Sequence, residues 1–380
     1  AEPMKNFLAG NPSFSKLALF ICVILLSITE CIAAEPSAKT YDETLRVGVV
    51  GDTGVGERAY HPGFLAVAEA LKSQRPDLLL HLGDFVYQPK MFPQICPERY
   101  VREIRETLAD PFEFKLFVPG DNDLPPQAKK PKGSGCWEKI DRMDNEFDSF
   151  PASANGPGPY EGTMALGNTL FAVLNTYPWQ DPTPWLAPRI AKAKGNGLWV
   201  IIALHEPAIT TAWYLEKRDT VLKQINTLKP DLVFAGNQHS YERFHPMGIP
   251  EQDGTLPFVA SASGNYSKGD GSIHVISGGG GATFKPFADL QGYQKRTAPK
   301  EVFDALATRA LMNHFIILEI EPDILRATTY KVCPQANSEN PRWKADKPMW
   351  NKITLECEGR SAGVTVFDRF QIHRPPIQVE

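Results

Sequence analysis

Leu78-Leu79-Leu80-His81-Leu82-Gly83-Asp84-Phe85-Val86-Tyr87 is the stretch that decides the fold. Its apolar run is too short for an ordinary helix and reads as a strand buried on both faces. A Gly-Asp pair straight after it sets a carboxylate at the strand's C-terminal edge, where open α/β sheets place their ligand crevices. The same design occurs on either side. Val47-Gly48-Val49-Val50 runs into Gly51-Asp52-Thr53-Gly54, and Phe117-Val118-Pro119 runs into Gly120-Asp121-Asn122-Asp123. Carboxylates gathered at one sheet edge are costly unless cations neutralise them. The expected site is therefore a metal centre.

Outward from this stretch, segments 62–74 and 97–109 read as helices between strands 46–50, 78–82 and 114–118. That is βαβαβ, the pattern of a parallel sheet with helical crossovers. Residues 138–150 carry Ile140, Met143, Phe147 and Phe150 at helical spacing, which is core packing. Segments 160–166 and 169–175 flank Gly167-Asn168, a two-residue hairpin signal. Helices are expected at 185–193, 219–228 and 300–310. Strands are expected at 198–204, ending on His205, at 232–235, leading to Asn237 and His239, and at 273–277, closed by Gly278–Gly281. The C-terminal part is strand-rich, at 315–320, 325–332, 353–356 and 364–372. The expected architecture is one α/β domain over residues 35–380, with two facing mixed sheets and helices outside them.

A net charge of −4 gives no electrostatic case for binding nucleic acid. Residues 1–34 stand apart. Ala1-Glu2-Pro3 before Met4 read as a cloning scar; Lys5, Lys16, the apolar run 17–28 and Ala33-Ala34 read as a signal peptide. That run is short for a membrane span, and an uncleaved anchor is the alternative reading. The expectation is a secreted or periplasmic protein without a membrane span after cleavage. Cys22 and Cys31 leave with the signal, and Cys96, Cys136, Cys333 and Cys357 stay, an even count in an oxidising compartment. Cys96–Cys136 with Cys333–Cys357 is the simplest of the three connectivities. Asn265-Tyr266-Ser267 is a glycosylation sequon, meaningful in a eukaryotic source. The lysines of loop 125–135 would draw an anion toward Asp121, although a solvated loop is the ordinary reading.

In order, the chain shows GDTG (51–54), GDFVY (83–87), GDND (120–123), ALHEP (203–207) and GNQHSYER (236–243). Over residues 46–245 it resembles the calcineurin-like metallophosphoesterase superfamily, in its purple acid phosphatase branch. That pattern is GDxG, GDxxY, GNH(D/E), VxxH and GHxH. One Gly-Asp pair is a weak signal; five blocks in order, each after an expected strand, are a strong one. The resemblance implies a four-layer αββα sandwich and a dinuclear enzyme hydrolysing phosphate monoesters, with a metal-activated hydroxide attacking phosphorus in line. It gives the first ion Asp52, Asp84, Tyr87 and His239, where a phenolate among carboxylates suits Fe(III). The second ion would take Asp84, the residue at the GNH asparagine, His205 and the residue at the first histidine of GHxH. Asp84 would bridge the two.

The departures from the pattern fall on the second ion's side. Asp121 stands in the asparagine's place, Asn122 in the catalytic histidine's, and Asn237 in that of the first GHxH histidine. The second site becomes richer in oxygen, which favours Mn or Mg over Zn. General acid help is worth about 10²–10⁴-fold, so without the histidine, leaving groups that need no protonation are expected to be preferred. A second alignment, with Asn122 as ligand and Asp121 behind it, stays open.

Each of these residues also has a bland reading. A single Asp after a strand is ordinarily a helix cap or Asx turn; three with Tyr87 favour metal. Asn237 is as readily a turn residue as a weak ligand. His81 reads as a packed strand histidine, and Tyr241, Glu242 and Arg243 as structural support. His61 and His245 read as loop histidines, either of which could replace the missing proton donor. Gly278–Gly281 has no Lys-Ser/Thr after it and reads as a tight turn. Acid-phosphatase-like monoester hydrolysis is the leading expectation. The alternatives are a phosphodiesterase or nucleotide hydrolase on the same site, and a catalytically degenerate metal-binding scaffold.

Overall fold

The computed structural model describes residues 44–54, 61–87, 96–126, 133–140, 157–158, 160–213, 218–290, 297–334 and 363–375. All of them lie in one compact unit, Lys39–Glu380. The expected signal at 1–34, the helix beyond Ile140, Lys129, Lys130, Lys132, the strand at 353–356 and Cys357 fall outside the described residues, as does the side chain of His61.

The chain begins β1 (Leu45–Val50), α1 (His61–Ser73), β2 (Leu78–His81), α2 (Glu98–Ile104), β3 (Phe114–Phe117) and α3 (Trp137–Ile140). It continues with β4 (Gly162–Leu166), β5 (Thr169–Leu174), α4 (Thr183–Gly195), β6 (Trp199–Leu204), α5 (Arg218–Thr227), β7 (Leu232–Ala235) and β8 (Tyr241–Phe244). Last come β9 (Asn265–Ser267), β10 (Ile273–Ser277), α6 (Lys300–Asp304), β11 (Leu306–Ala310), β12 (Asn313–Ile320), β13 (Ile324–Cys333) and β14 (Gly363–His373).

Two seven-stranded sheets result, in the orders β3-β2-β1-β12-β13-β14-β9 and β11-β8-β10-β7-β6-β5-β4. β1, β2 and β3 run parallel in the first; β5, β6, β7 and β10 run parallel in the second. Strand alternation explains the leucine run. Leu78 and Leu80 enter a core shared with Phe171, Ile201, Phe234 and Val275 of the other sheet. Leu79 faces the opposite way, among Phe64, Val67 and Leu71 of α1. Those α1 residues recur at helical spacing, so one stripe of the helix covers the sheet. α4 and α5 cover the outside of the second sheet with Leu186, Ile190, Leu222 and Ile225. The layers are therefore helix, sheet, sheet, helix, as expected.

The expected helix at 300–310 is corrected by the structure. Only Lys300–Asp304 is helical, and Leu306–Ala310 pairs antiparallel with β8 at the sheet edge. Available ladder partners override the local propensity of an Ala-containing segment. β8 itself, Tyr-Glu-Arg-Phe, is buried throughout and was not anticipated, because its charged letters hide a strand. Cys96 and Cys136 form a disulfide with Cα atoms 4.9 Å apart, and Cys333 is also disulfide-bonded. Among the described residues no helix is long and apolar enough to cross a membrane.

Candidate metal centre

The loops after β1, β2 and β3 meet those after β6, β7 and β10. Asp52 and Asp84 both have φ near +54°, and Asn237 has φ of +64°. Asp and Asn tolerate this left-handed region better than other side chains, and strained backbone of this kind gathers at functional sites. Gly120 is required by close approach, because a Cβ there would collide with Asp84 and Asp123.

One cluster forms around Asp52, which is fully buried. The Tyr87 hydroxyl donates to Asp52 Oδ1 at 3.1 Å and lies 3.0 Å from His239 Nε2. His239 Nε2 is 3.3 Å from the same oxygen. His239 Nδ1 sits 2.5 Å from the Thr283 carbonyl, a bond that turns Nε2 inward. Asp52 Oδ2 accepts the Asn237 N–H at 2.8 Å. Burial alone would raise the Asp52 carboxyl, but the His239 bond and the charges of His205, His239 and Lys285 hold it below its ordinary value. Burial pushes the Tyr87 phenol well above its usual range, and Asp52 and Asp84 push it further.

The other cluster forms around His205. Its Nδ1 lies 2.6 Å from the Leu82 carbonyl, so Nε2 faces the site, 3.4 Å from Asp84 Oδ1 and 3.6 Å from Asp121 Oδ1. This Nε2 is buried without a well-formed hydrogen bond. Burial would lower the imidazole's pKa, but Asp84's charge and the contacts with Asp121 and Asp84 hold it well above the ordinary histidine value. Asn122 donates its backbone N–H to Asp84 Oδ1 at 3.0 Å and its amide to Asp84 Oδ2 at 2.7 Å. Asp121 thus stands beside His205, while Asn122 grips Asp84.

These donor sets fit metal ions. Two atoms each about 2.1 Å from one ion lie about 3.0 Å apart at a right angle and about 3.4 Å apart at a tetrahedral angle. The Asp52–Tyr87–His239 spacings match the first figure and the His205 spacings approach the second. Both imidazoles spend Nδ1 on a backbone carbonyl, the arrangement that fixes metal-binding histidines. Ligand atoms of Asp52, Asp84 and His205 lie within 4.8 Å of one another, so the two clusters adjoin with Asp84 close to both Asp52 and His205.

Two residues with a part in this geometry were not singled out from the sequence. Asp123 accepts backbone N–H bonds from Asp84 at 2.7 Å, Phe85 at 3.0 Å, Val86 at 3.3 Å and Gly120 at 3.1 Å. It fastens the GDFVY turn to the GDND turn, and its place as the acidic residue ending that block was the available signal. Lys285 donates to Asn237 from the loop after β10, and only its position after a strand-end glycine run pointed to it. His81, Tyr241, Glu242 and Arg243 are packed, as expected, and His245 lies in a loop, half-buried. His81 lies between Thr53 and the Gly83 N–H, with its pKa lowered to about 3 mainly by burial. Tyr241 and Arg243 bond Asp368, and Glu242 accepts from Thr210 and Thr211. His245 lies 2.8 Å from the Tyr266 hydroxyl and stacks on Phe258.

The family model for calcineurin-like phosphoesterases matches residues 45–241, more than half of the chain. Among curated proteins, an Arabidopsis thaliana protein named probable inactive purple acid phosphatase 27 is 25% identical over 280 residues, 66% of this chain and 43% of its own length. An uncharacterized Mycobacterium tuberculosis protein is 33% identical over 111 residues, 27% of this chain and 21% of its own length. The chain thus spans less than half the length of these curated relatives. Among solved structures, purple acid phosphatase PPD1 from yellow lupin seeds superposes with a TM-score of 0.57 at 16% identity, covering 88% of this chain and 54% of that one. A structure described as PhoD superposes with a TM-score of 0.53 at 10% identity, covering 87% and 70%. These two similarities concern the fold. By its motifs, its two facing sheets and the family match, the chain belongs to the calcineurin-like phosphoesterases.

Proposed function

We propose that the protein is an extracytoplasmic, dinuclear metal-dependent phosphoesterase that hydrolyses phosphate monoesters in the manner of an acid phosphatase. The observation that supports this is the mutual approach of Asp52, Asp84 and His205 within 4.8 Å, with Tyr87 and His239 on Asp52 and Asp121 beside His205. Asp52, Asp84, Tyr87 and His239 would hold the first ion, an iron, and Asp84, Asp121, His205 and Asn237 the second, Mn, Mg or Zn. When bound, a pair of such ions supplies a nucleophile from water and neutralises charge on the phosphoryl oxygens. The chain's own work is to place the donors. Asn122, partly exposed, orients Asp84 through two hydrogen bonds and would contact a phosphoryl oxygen. An amide donates a hydrogen bond but is no general acid, so aryl phosphates should turn over best.

A second reading is a metal-binding scaffold without turnover. Asn122 and Asn237 supply amides where the family pattern has imidazoles, and one relative is named probable inactive. Hydrolysis of aryl phosphate monoesters and diesters by protein loaded with Fe and Mn separates the two. Monoester turnover supports the enzyme; none under any metal, with two ions counted per chain, leaves the scaffold.

A further inference from the structure

Lys285 lies on the loop after β10, partly exposed as are Asp121, Asn122 and Asn237. Its ammonium donates to the Asn237 carbonyl at 2.5 Å and to Asn237 Oδ1 at 3.4 Å. Asn237 in turn donates its N–H to Asp52 Oδ2, so one residue separates the ammonium from the centre's first carboxylate. The loop is held at two further points, by His239 Nδ1 on the Thr283 carbonyl and by Gln238 Nε2 on the Lys285 carbonyl at 3.0 Å. The cation is thus held against Asn237, a partly exposed residue whose own N–H bonds the Asp52 carboxylate.

We propose that Lys285 binds the substrate's phosphoryl group and selects doubly charged phosphate monoesters over singly charged diesters. This rests on the phosphoesterase reading above. Coulomb attraction scales with charge, so a fixed ammonium gains about twice as much from a dianion as from a monoanion at the same distance. A donor already held in place loses little freedom when the anion arrives.

The test titrates metal-loaded wild type, Lys285→Met and Lys285→Arg calorimetrically with inorganic phosphate in its dianionic form and with dimethyl phosphate, after counting metal in each. Lys285→Met should bind phosphate at least about tenfold more weakly, the scale of a lost charge-assisted hydrogen bond. It should bind dimethyl phosphate more weakly by only about the square root of that factor, about threefold for a tenfold loss of phosphate, since the Coulomb term is halved. Lys285→Arg should retain most of the phosphate affinity, and metal content should be equal in all three. Unchanged phosphate affinity in Lys285→Met overturns the proposal. So does an altered metal count, which would make Lys285 part of ion binding instead. Wild type that carries two ions and binds neither anion overturns the phosphoesterase reading together with this one.

Discussion

At the scale of single residues, the centre is asymmetric. The Asp52, Tyr87 and His239 side retains the donors the motifs promise, and those were legible because Gly-Asp after a strand and GNQHSYER are local patterns. Asp123 and Lys285 were not legible, since their partners lie 39 and 48 residues away, at Asp84 and Asn237. The choice between Asp121 and Asn122 was open in the sequence because both are short polar residues. Their contacts differ, Asp121 lying beside His205 and Asn122 bonding Asp84. Two predictions belong here. The phenol of Tyr87 is held protonated by burial and by Asp52 and Asp84, so a highly charged ion is needed to ionise it. Protein loaded with Fe(III) should show a visible tyrosinate band that Tyr87→Phe abolishes; a band that survives removes Tyr87 from the ligands. Asp121→Asn takes one negative charge from the second position and should shift the measured preference between Mn and Zn toward Zn. An unchanged ratio in competition dialysis would place Asp121 outside the coordination sphere.

At the scale of elements, β1, β2, β3, β7 and β10 were readable as apolar runs ending in glycine-bearing turns, and β6 as one ending on His205. β8 and β11 were not, for a common reason: they pair with each other at a sheet edge, and their letters carry no period-2 alternation. The leucines of β2 are buried on both faces, so the strand that delivers Asp84 is anchored from two cores. Leu80→Ala removes side-chain packing between the sheets and should cost about 2–5 kcal/mol in urea unfolding. A loss under about 1 kcal/mol would mean that the core collapses around the gap. Weaker metal binding in the same variant is expected, because β2 positions Asp84.

At the scale of the whole molecule, acid is a hazard to the fold. His274 lies far from the metal-centre residues in sequence, at the start of β10, fully buried and bonded to Asn226 at 2.8 Å. Burial lowers its pKa from 6.5 to about 3. The unfolded chain therefore takes up this proton first, and the stability it contributes is complete above the unfolded value and lost as pH falls from 6.5 toward 3. One such proton gives a slope of about 1.4 kcal/mol per pH unit. His274→Gln should flatten the stability profile in that window by up to one proton; an identical slope would mean that His274 does not stay neutral in the fold. Ions bound only by the folded chain would add stability with concentration, so chelation at neutral pH should lower the melting temperature, and acid that protonates the ligands should remove this contribution too.

Whether Asp84 joins two ions decides the function. Metal analysis combined with anomalous scattering from crystals of the loaded protein addresses it most directly. The expected result is two ions per chain, about 3.5–4 Å apart, with Asp84 contacting both. A single ion held by Asp52, Tyr87 and His239, with nothing at His205 and Asp121 even in excess Mn, would contradict it.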